Sequence, residues 1–141
     1  MPHIHRPLIL QAPVDGVVLP LAEVPDPVFA GLTLGEGIAL DPLGECLHAP
    51  CDGEVVQCAR THHALTLRTA AGVELLLHLG LDTVELNGAG IEPLVAVGDR
   101  VRAGDPLCRF DADALARGAS ALITPLVITE AAGWRLQPLR Y

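Results

Sequence analysis

Turn-forming residues interrupt this chain so often that it has no room for a long helix. Fourteen glycines and twelve prolines are spread over 141 residues, and the apolar stretches between them are short. Short apolar stretches between turns are typical of β-strands, and proline breaks helices. We therefore predict strands at 15–19, 37–40, 53–56, 65–69 and 73–77. The fold class predicted is all-β, a sandwich or barrel with one or two short helical turns.

Only one segment has the pattern of a helix. Asp111 is a candidate N-cap, residues 112–117 follow without a turn signal, and Gly118 is a stop. The length of the chain suits one ordinary hydrophobic core, and no linker or low-complexity tract divides it. We expect a single domain over residues 1–141, either alone or cut from a longer protein.

A repeated turn motif indicates an internal duplication. The sequence APVDGVV at residues 12–18 returns 37 residues later as APCDGEVV at residues 49–56. In each copy proline gives an extended entry, Asp-Gly makes a turn, and a strand follows. A third, related hairpin is predicted at residues 97–107, where two Gly-Asp pairs occur.

Composition excludes several kinds of chemistry. All nine basic residues are arginine, so a Schiff-base lysine, a P-loop lysine and a biotinyl- or lipoyl-lysine are absent. The net charge of -8 repels nucleic acid and anionic membranes and favours a cationic partner. No apolar stretch approaches the roughly 20 residues that span a bilayer. We expect a cytoplasmic protein that neither binds nucleic acid nor inserts into a membrane.

Four cysteines leave a disulfide framework open as one interpretation. Cys46, Cys51, Cys58 and Cys108 have apolar neighbours, however, and no Cys-x-x-Cys pair is present. We predict buried, reduced thiols and no zinc site built from them.

His78 is the histidine with the most unusual surroundings, because it interrupts the apolar stretch 75–81. Two interpretations are open. The ring can be a core imidazole bonded to backbone. Alternatively, a dry environment keeps it neutral, with one nitrogen bonded and the other free as a nucleophile or metal ligand. Gly80, two residues later, allows a backbone carbonyl or a partner to approach closely.

His63 is the predicted neighbour of His78. A hairpin that closes near residues 70–72 sets His63 opposite His78, with Cβ atoms on the order of 5 Å apart. Thr61 shares the face of His63 by the two-residue period of a strand and can orient its ring, whereas His62 points the other way. Two such imidazoles can bind zinc or handle a phosphoryl group.

The other titratable residues are weaker candidates. His3 and His5 lie near the N-terminus, and His48 fits a strand edge. Asp82 follows His78 by four residues, and Glu36 stands between two glycines at the start of a strand. Both carboxylates are candidates for contact with a partner.

Several segments, in order and with matching spacing, carry a resemblance to one family. They are THHA at 61–64, VELLLHLGLDTVEL at 73–86, the two repeat copies, EVPDPVFA at 23–30, GEGIAL at 35–40 and TPLVI at 124–128. Together they cover about residues 11–130. The chain resembles the glucose-type IIA domain of the bacterial phosphoenolpyruvate:sugar phosphotransferase system.

The resemblance implies that the fold is an antiparallel β-sandwich with duplicated motifs. It also implies that the protein carries a phosphoryl group. His78 would accept a phosphoryl group on Nε2 from phosphorylated HPr and pass it to a cysteine of a sugar-specific IIB domain. His63 would stabilise that group, and Thr61 would be bonded to His63. No cofactor is implied as essential, although zinc bound between His63 and His78, with a carboxylate of a partner completing the site, is seen in the family.

The resemblance also implies how partners dock. Asp82 and Glu36 would meet an arginine of HPr, and Leu76 would belong to an apolar docking rim. Glu36 is longer than the usual Asp, His62 replaces a usual Asn, and Ala59 and Leu76 replace aromatic rim residues. A LytM-type zinc peptidase is the alternative on a related scaffold, but the only His-x-His is His3-Ile4-His5, at the wrong end of the chain.

Overall fold

The computed structural model describes residues 8–133, in which ten strands form two antiparallel sheets. In spatial order, the large sheet contains β1 (Gly16–Pro20), β2 (Glu36–Pro42), β10 (Thr124–Glu130), β6 (Glu74–His78), β5 (Ala64–Arg68), β4 (Gly53–Cys58) and β8 (Arg100–Val101). The small sheet contains β3 (Cys46–His48), β9 (Pro106–Phe110) and β7 (Ile91–Pro93). The predicted all-β, antiparallel class is confirmed.

The repeat seen in the sequence is also a structural repeat. β1 begins at Gly16 and β4 begins at Gly53, the same position of each copy. A Cβ atom on Gly16 would lie 2.2 Å from the carbonyl oxygen of Asp41, and one on Gly53 would lie 2.9 Å from that of Arg68. Glycine at these two positions therefore lets the neighbouring chain approach closely.

The large sheet buries apolar side chains on both faces. On one face, residues such as Leu65, Leu75 and Leu77 pack with Leu107 and Phe110 of the small sheet, and this is the main core. The second face carries a smaller cluster, formed by Leu21, Val24, Phe29, Ala39, Leu81 and Val127. Successive strand residues point to opposite faces, so β2, β10 and β6 each contribute to both clusters.

Two short helices connect the strands. The predicted helix is present as α2 (Ala112–Ala116), and the side chain of its N-cap Asp111 accepts a hydrogen bond from Ala114 N at 3.1 Å. The sequence analysis did not predict α1 (Pro27–Ala30), whose N-cap Asp26 accepts from Val28 N at 2.9 Å. Single 3-10 turns occupy Leu21–Glu23 and Thr83–Leu86.

The hairpin predicted at 97–107 is wrong. β8 pairs with β4 in the large sheet, whereas β9 pairs with β3 and β7 in the small one. The two Gly-Asp turns carry the chain from one sheet to the other instead of folding it back on itself. Asp99 and Asp105 accept backbone hydrogen bonds at these turns, from Ala96 N and Arg102 N.

All four cysteines are free thiols, as predicted, but only Cys51 and Cys108 are buried, whereas Cys46 and Cys58 are half-buried. Burial raises the pKa of Cys108 to about 12 and that of Cys51 to about 11, so both are unreactive at neutral pH. No helix in residues 8–133 combines the length and the apolar character needed to cross a membrane. His3 and His5 lie outside the described residues.

Candidate functional site

His78 is the last residue of β6, at the point where the strand leaves the sheet. Leu75 and Leu77 point into the main core, so His78 and Leu76 point to the opposite face. There the ring of His78 packs against Phe29 of α1, with ring centroids 5.2 Å apart. The histidine is half-buried, which gives its ring a drier environment than a surface histidine has.

One hydrogen bond defines the tautomer of His78. Nδ1 lies 2.6 Å from the carbonyl oxygen of Gly80. A carbonyl oxygen only accepts, so Nδ1 must carry the proton, and in the neutral ring Nε2 keeps its lone pair. Both sequence interpretations therefore hold in part: the ring is bonded to backbone, and its second nitrogen is free.

Nε2 of His78 also reaches the surface. It accepts no hydrogen bond from residues 8–133, and within that range no buried side-chain nitrogen or oxygen lacks a hydrogen-bond partner. An unpartnered Nε2 must therefore be accessible to solvent. The site thus presents a nucleophilic lone pair at the edge of an apolar environment.

His63 lies next to His78, although not as its cross-strand partner. Ala64 pairs with His78, and Arg68 pairs with Glu74, so the hairpin is centred one half-residue later than predicted. The five-residue loop is closed by Thr69 N, which donates to the carbonyl of Val73. The predicted pairing of His63 with His78 is wrong by one residue.

The two imidazole rings nevertheless meet. Their centroids are 5.0 Å apart and their planes are 78° from parallel. His62 has a left-handed backbone, with φ of 60°, and the carbonyl of His63 accepts from Leu79 N at 2.7 Å. His62 interrupts the extended backbone before β5 begins at Ala64. The alternation of side chains along a strand therefore does not decide where the ring of His63 points.

Thr61 contacts His63 as the sequence predicted. Its Oγ1 lies 2.5 Å from Nδ1 of His63. A hydroxyl both donates and accepts, so this bond orients the ring whichever nitrogen holds the proton. His62 is exposed, and its Nδ1 lies 4.0 Å from the sulfur of Cys58. His48 lies in β3, away from the imidazole pair.

Burial keeps both rings uncharged. Desolvation is the main cause of the lowered pKa of His78, and it outweighs the Gly80 hydrogen bond and the charges of Asp26 and Asp82, all of which raise the pKa. The pKa of His63 is lowered by desolvation first and then by His78. Both pKa values lie below the ordinary 6.5, so both rings are neutral at pH 7.

The carboxylates whose charge reaches His78 are Asp26 and Asp82. Asp82 was predicted, and Asp26 was missed. Glu36 is exposed and pairs with Ile128, which places it level with Leu75 rather than with His78. Glu36 also lies two residues before Ile38 in β2, so its side chain is on the same face of the sheet as Ile38, the face of the main core. Asp26 and Asp82 are therefore the carboxylates whose charge acts on His78, and the role of Glu36 stays a prediction.

Two signals in the sequence could have led to this segment. Asp26-Pro27 is a common start of a helix, with an N-cap and a proline in the first turn. Phe29 is one of two phenylalanines in a chain with few aromatic residues. Neither signal tells where α1 docks, so the contact of Phe29 with His78 could be seen only in the structure.

Apolar side chains that are exposed or half-buried lie on β6 and in or after α1, the elements that carry His78 and Phe29. Leu76 is half-buried and packs against the cluster that contains Phe29. Val28, Leu32 and Leu34, in and after α1, are exposed by 40 to 46%. We call Leu76 and these three residues the apolar rim.

The predicted zinc at His63 and His78 is not supported. The two imidazoles supply only two of the three or more protein ligands that zinc takes, so this chain alone does not complete a zinc site with them. Within residues 8–133 no group of three or more His, Cys, Asp or Glu side chains is arranged to hold a metal ion. The arrangement does suit an electrophilic group, which the lone pair of His78 can attack while the ring of His63 hydrogen-bonds to it.

Residues 8–133 match the sequence model of one family, phosphoenolpyruvate-dependent sugar phosphotransferase system, EIIA 1. The glucose-specific EIIA component of Bacillus cereus is 46% identical over 118 residues, which are 84% of this chain and 72% of that protein. The mannose-specific EIIBCA component of Corynebacterium glutamicum is 47% identical over 121 residues, 86% of this chain and 18% of that protein. Glucose permease IIA from Mycoplasma capricolum superposes with a TM-score of 0.94 at 38% identity, covering 99% of this chain and 91% of that one.

Proposed function

This chain belongs to the EIIA family of the phosphoenolpyruvate-dependent sugar phosphotransferase system, and we propose that it carries a phosphoryl group on His78. As a member of that family it is a phosphocarrier of sugar uptake. The observation that supports His78 as the carrier is its tautomer, with Nδ1 bonded to Gly80 and Nε2 free. The donor is phosphorylated HPr, and the acceptor is a cysteine of a IIB domain.

In the accepting step, the lone pair of His78 Nε2 attacks the phosphorus of a phosphohistidine on HPr. The new nitrogen–phosphorus bond forms as the old one breaks, and the donor imidazole takes back the bonding electron pair. The proton on Nδ1 stays in its hydrogen bond to Gly80 throughout. No general base is needed, because the attacking nitrogen is unprotonated before the reaction starts.

In the donating step, a thiolate of the IIB domain attacks the same phosphorus and the electron pair returns to Nε2. His63 assists by donating from Nε2–H to an oxygen of the phosphoryl group. This role requires the tautomer of His63 in which Nδ1 accepts from the hydroxyl of Thr61 and Nε2 carries the proton, and the contact between Thr61 Oγ1 and His63 Nδ1 allows it. Thr61 is thus a positioning residue for His63.

Docking is the role of the acidic pair and the apolar rim. Asp26 and Asp82 give the surface beside His78 a negative charge that suits an arginine of HPr. Leu76, Val28, Leu32 and Leu34 supply apolar area that excludes water once a partner has bound. Exclusion of water protects the phosphohistidine from hydrolysis. The predicted contact of Glu36 with HPr stays a prediction.

The relatives that are fused as EIIBCA chains are consistent with transfer to a IIB domain. We propose that residues 1–141 form a single IIA domain, the part that corresponds to the A in these fused chains. A cytoplasmic location agrees with its four free thiols.

The assignment is tested by phosphoryl transfer from labelled phosphoenolpyruvate through enzyme I and HPr. The protein is expected to take up one acid-labile phosphoryl group, and His78→Ala is expected to take up none. His63→Gln is expected to accept the group but to pass it to a IIB domain more slowly. His62→Gln, one residue away and exposed, is the control and should behave as the parent does. Label on the His78→Ala protein would refute the assignment.

A further inference from the structure

The turn that follows His78 is held in an unusual way. Two successive peptide groups, Leu79–Gly80 and Gly80–Leu81, are hydrogen-bonded at both their carbonyl and their N–H ends. The carbonyl of Gly80 accepts from His78 Nδ1 at 2.6 Å, and Leu81 N donates to the carbonyl of Ala121 at 2.8 Å. In the Gly80–Leu81 peptide, the carbonyl therefore defines the tautomer of His78, and the N–H group is anchored to Ala121, outside β6.

The peptide before it is held by two threonine hydroxyls. Thr83 Oγ1 donates to the carbonyl of Leu79 at 2.6 Å, and Gly80 N donates to Thr124 Oγ1 at 3.4 Å. Thr124 Oγ1 in turn donates to the carbonyl of Leu122 at 3.0 Å. Each hydroxyl thus has a partner, and the two come from different elements, the 3-10 turn at Thr83–Leu86 and β10.

Both threonines are 0% exposed, among apolar side chains such as Leu79 and Leu81. A buried hydroxyl lowers the stability of the fold, compared with a methyl group, unless hydrogen bonds offset the loss of its hydration. Valine would fill the same volume. The hydroxyls are therefore the part of these side chains that the turn uses.

The backbone of Gly80 needs this support. Its φ is +70°, and a Cβ atom there would lie 2.8 Å from Cγ2 of Thr83 and 3.0 Å from the carbonyl oxygen of Ala121. A glycine has more backbone freedom than any other residue. Without outside restraints, the Gly80 carbonyl could rotate away from His78.

We propose that Thr83 and Thr124 are positioning residues for His78: their hydroxyls fix the Leu79–Gly80 peptide, so that the Gly80 carbonyl stays on Nδ1 and Nε2 stays free. The proposal rests on the phosphocarrier function proposed above. Without the two hydroxyls, only the hydrogen bond from Leu81 N to Ala121 still anchors these two peptide groups outside β6. We then expect the carbonyl to leave Nδ1 in part of the His78 population, which takes the tautomer with the proton on Nε2. That fraction cannot attack phosphorus.

The test compares Thr83→Val and Thr124→Val with the parent and with Thr83→Ser and Thr124→Ser, which keep the hydroxyl. ¹⁵N-edited NMR of the unphosphorylated proteins at pH 8 reports which nitrogen of His78 holds the proton. The parent and both Ser variants are expected to show the Nδ1–H tautomer. Each Val variant is expected to show signal from the Nε2–H tautomer and a rate of phosphoryl acceptance lower by about five- to tenfold.

A purely structural role gives a different result. If both Val variants only unfold more easily, while their His78 tautomer and acceptance rate equal those of the parent, the proposal is wrong. If one Val variant does not fold, the other decides, because the two threonines lie in separate elements. Failure of the phosphocarrier assignment is recognised separately, since then the parent protein itself would not be phosphorylated on His78.

Discussion

At the scale of single residues, the chemistry of the site follows from which atoms surround each imidazole. The sequence predicted His78, His63 and Thr61 because of their positions in an apolar stretch and beside a strand. It could not predict that Nδ1 of His78 meets a carbonyl, because that contact depends on the turn at Gly80. It also missed Asp26, which lies 52 residues from His78 along the chain.

The charge of Asp26 can be tested without disturbing α1. Asp26→Asn keeps an N-cap that accepts from Val28 N, but removes the negative charge. Since that charge raises the pKa of His78, its removal is expected to lower the pKa further below the ordinary value. An NMR titration of the His78 ring measures the change.

Two companion variants complete that titration. Asp82→Asn tolerates the left-handed backbone of Asp82, with φ of 58°, and is expected to shift the pKa of His78 in the same direction. Glu36→Gln is expected to leave the pKa where it is in the parent. A shift with Glu36→Gln, and none with Asp26→Asn, would show that Glu36 is the acidic neighbour after all.

At the scale of elements, α1 covers the face of the large sheet on which His78 lies. Phe29 is 5% exposed and connects the helix to the imidazole pair, and the rest of the small cluster lies beneath it. The segment therefore has two roles: its inner side chains keep the site dry, and its outer ones form the apolar rim.

Shortening Phe29 is expected to let water reach His78. Phe29→Leu keeps an apolar side chain and is expected to cost roughly 1–2 kcal/mol of unfolding free energy. Because desolvation is the largest cause of the lowered pKa of His78, that pKa should rise towards 6.5. Phosphohistidine hydrolysis, followed by loss of label, should become severalfold faster.

The control for that experiment lies outside the imidazole pair and the apolar rim. Val97 is 59% exposed and lies in the turn that precedes β8. Val97→Ala is expected to leave both the hydrolysis rate and the pKa of His78 unchanged. Equal hydrolysis rates for the parent and Phe29→Leu would mean that α1 does not shield the site.

The strands were predictable where the sequence has a local signal. Turn residues and the repeated Pro-x-Asp-Gly motif indicated β1, β2, β4, β5 and β6 to within one residue at their starts. The hairpin register was wrong by one residue because the loop is centred on Ala71, whereas pairing of His63 with His78 requires a centre half a residue earlier. The path of residues 97–107 was also wrong, because local turn signals do not say which sheet the next strand joins.

At the scale of the whole molecule, the site occupies one end of one face of the large sheet. Its opposite face is fully used by the main core, so only this face can present His78 to a partner. A net charge of -8 gives the molecule a field that attracts a cationic surface and repels nucleic acid. Fold class and charge follow from the sequence, whereas the meeting of α1 with the end of β6 depends on tertiary packing.

The most direct test of the account is the position of the phosphoryl group in the phosphorylated protein. After reaction with phosphoenolpyruvate, enzyme I and HPr, ³¹P–¹⁵N NMR distinguishes a group on Nε2 from one on Nδ1 and one histidine from another. The hydrogen bond from Nδ1 to Gly80 predicts a single phosphoryl group on Nε2 of His78. A group on Nδ1 of His78, or on His63, would contradict it.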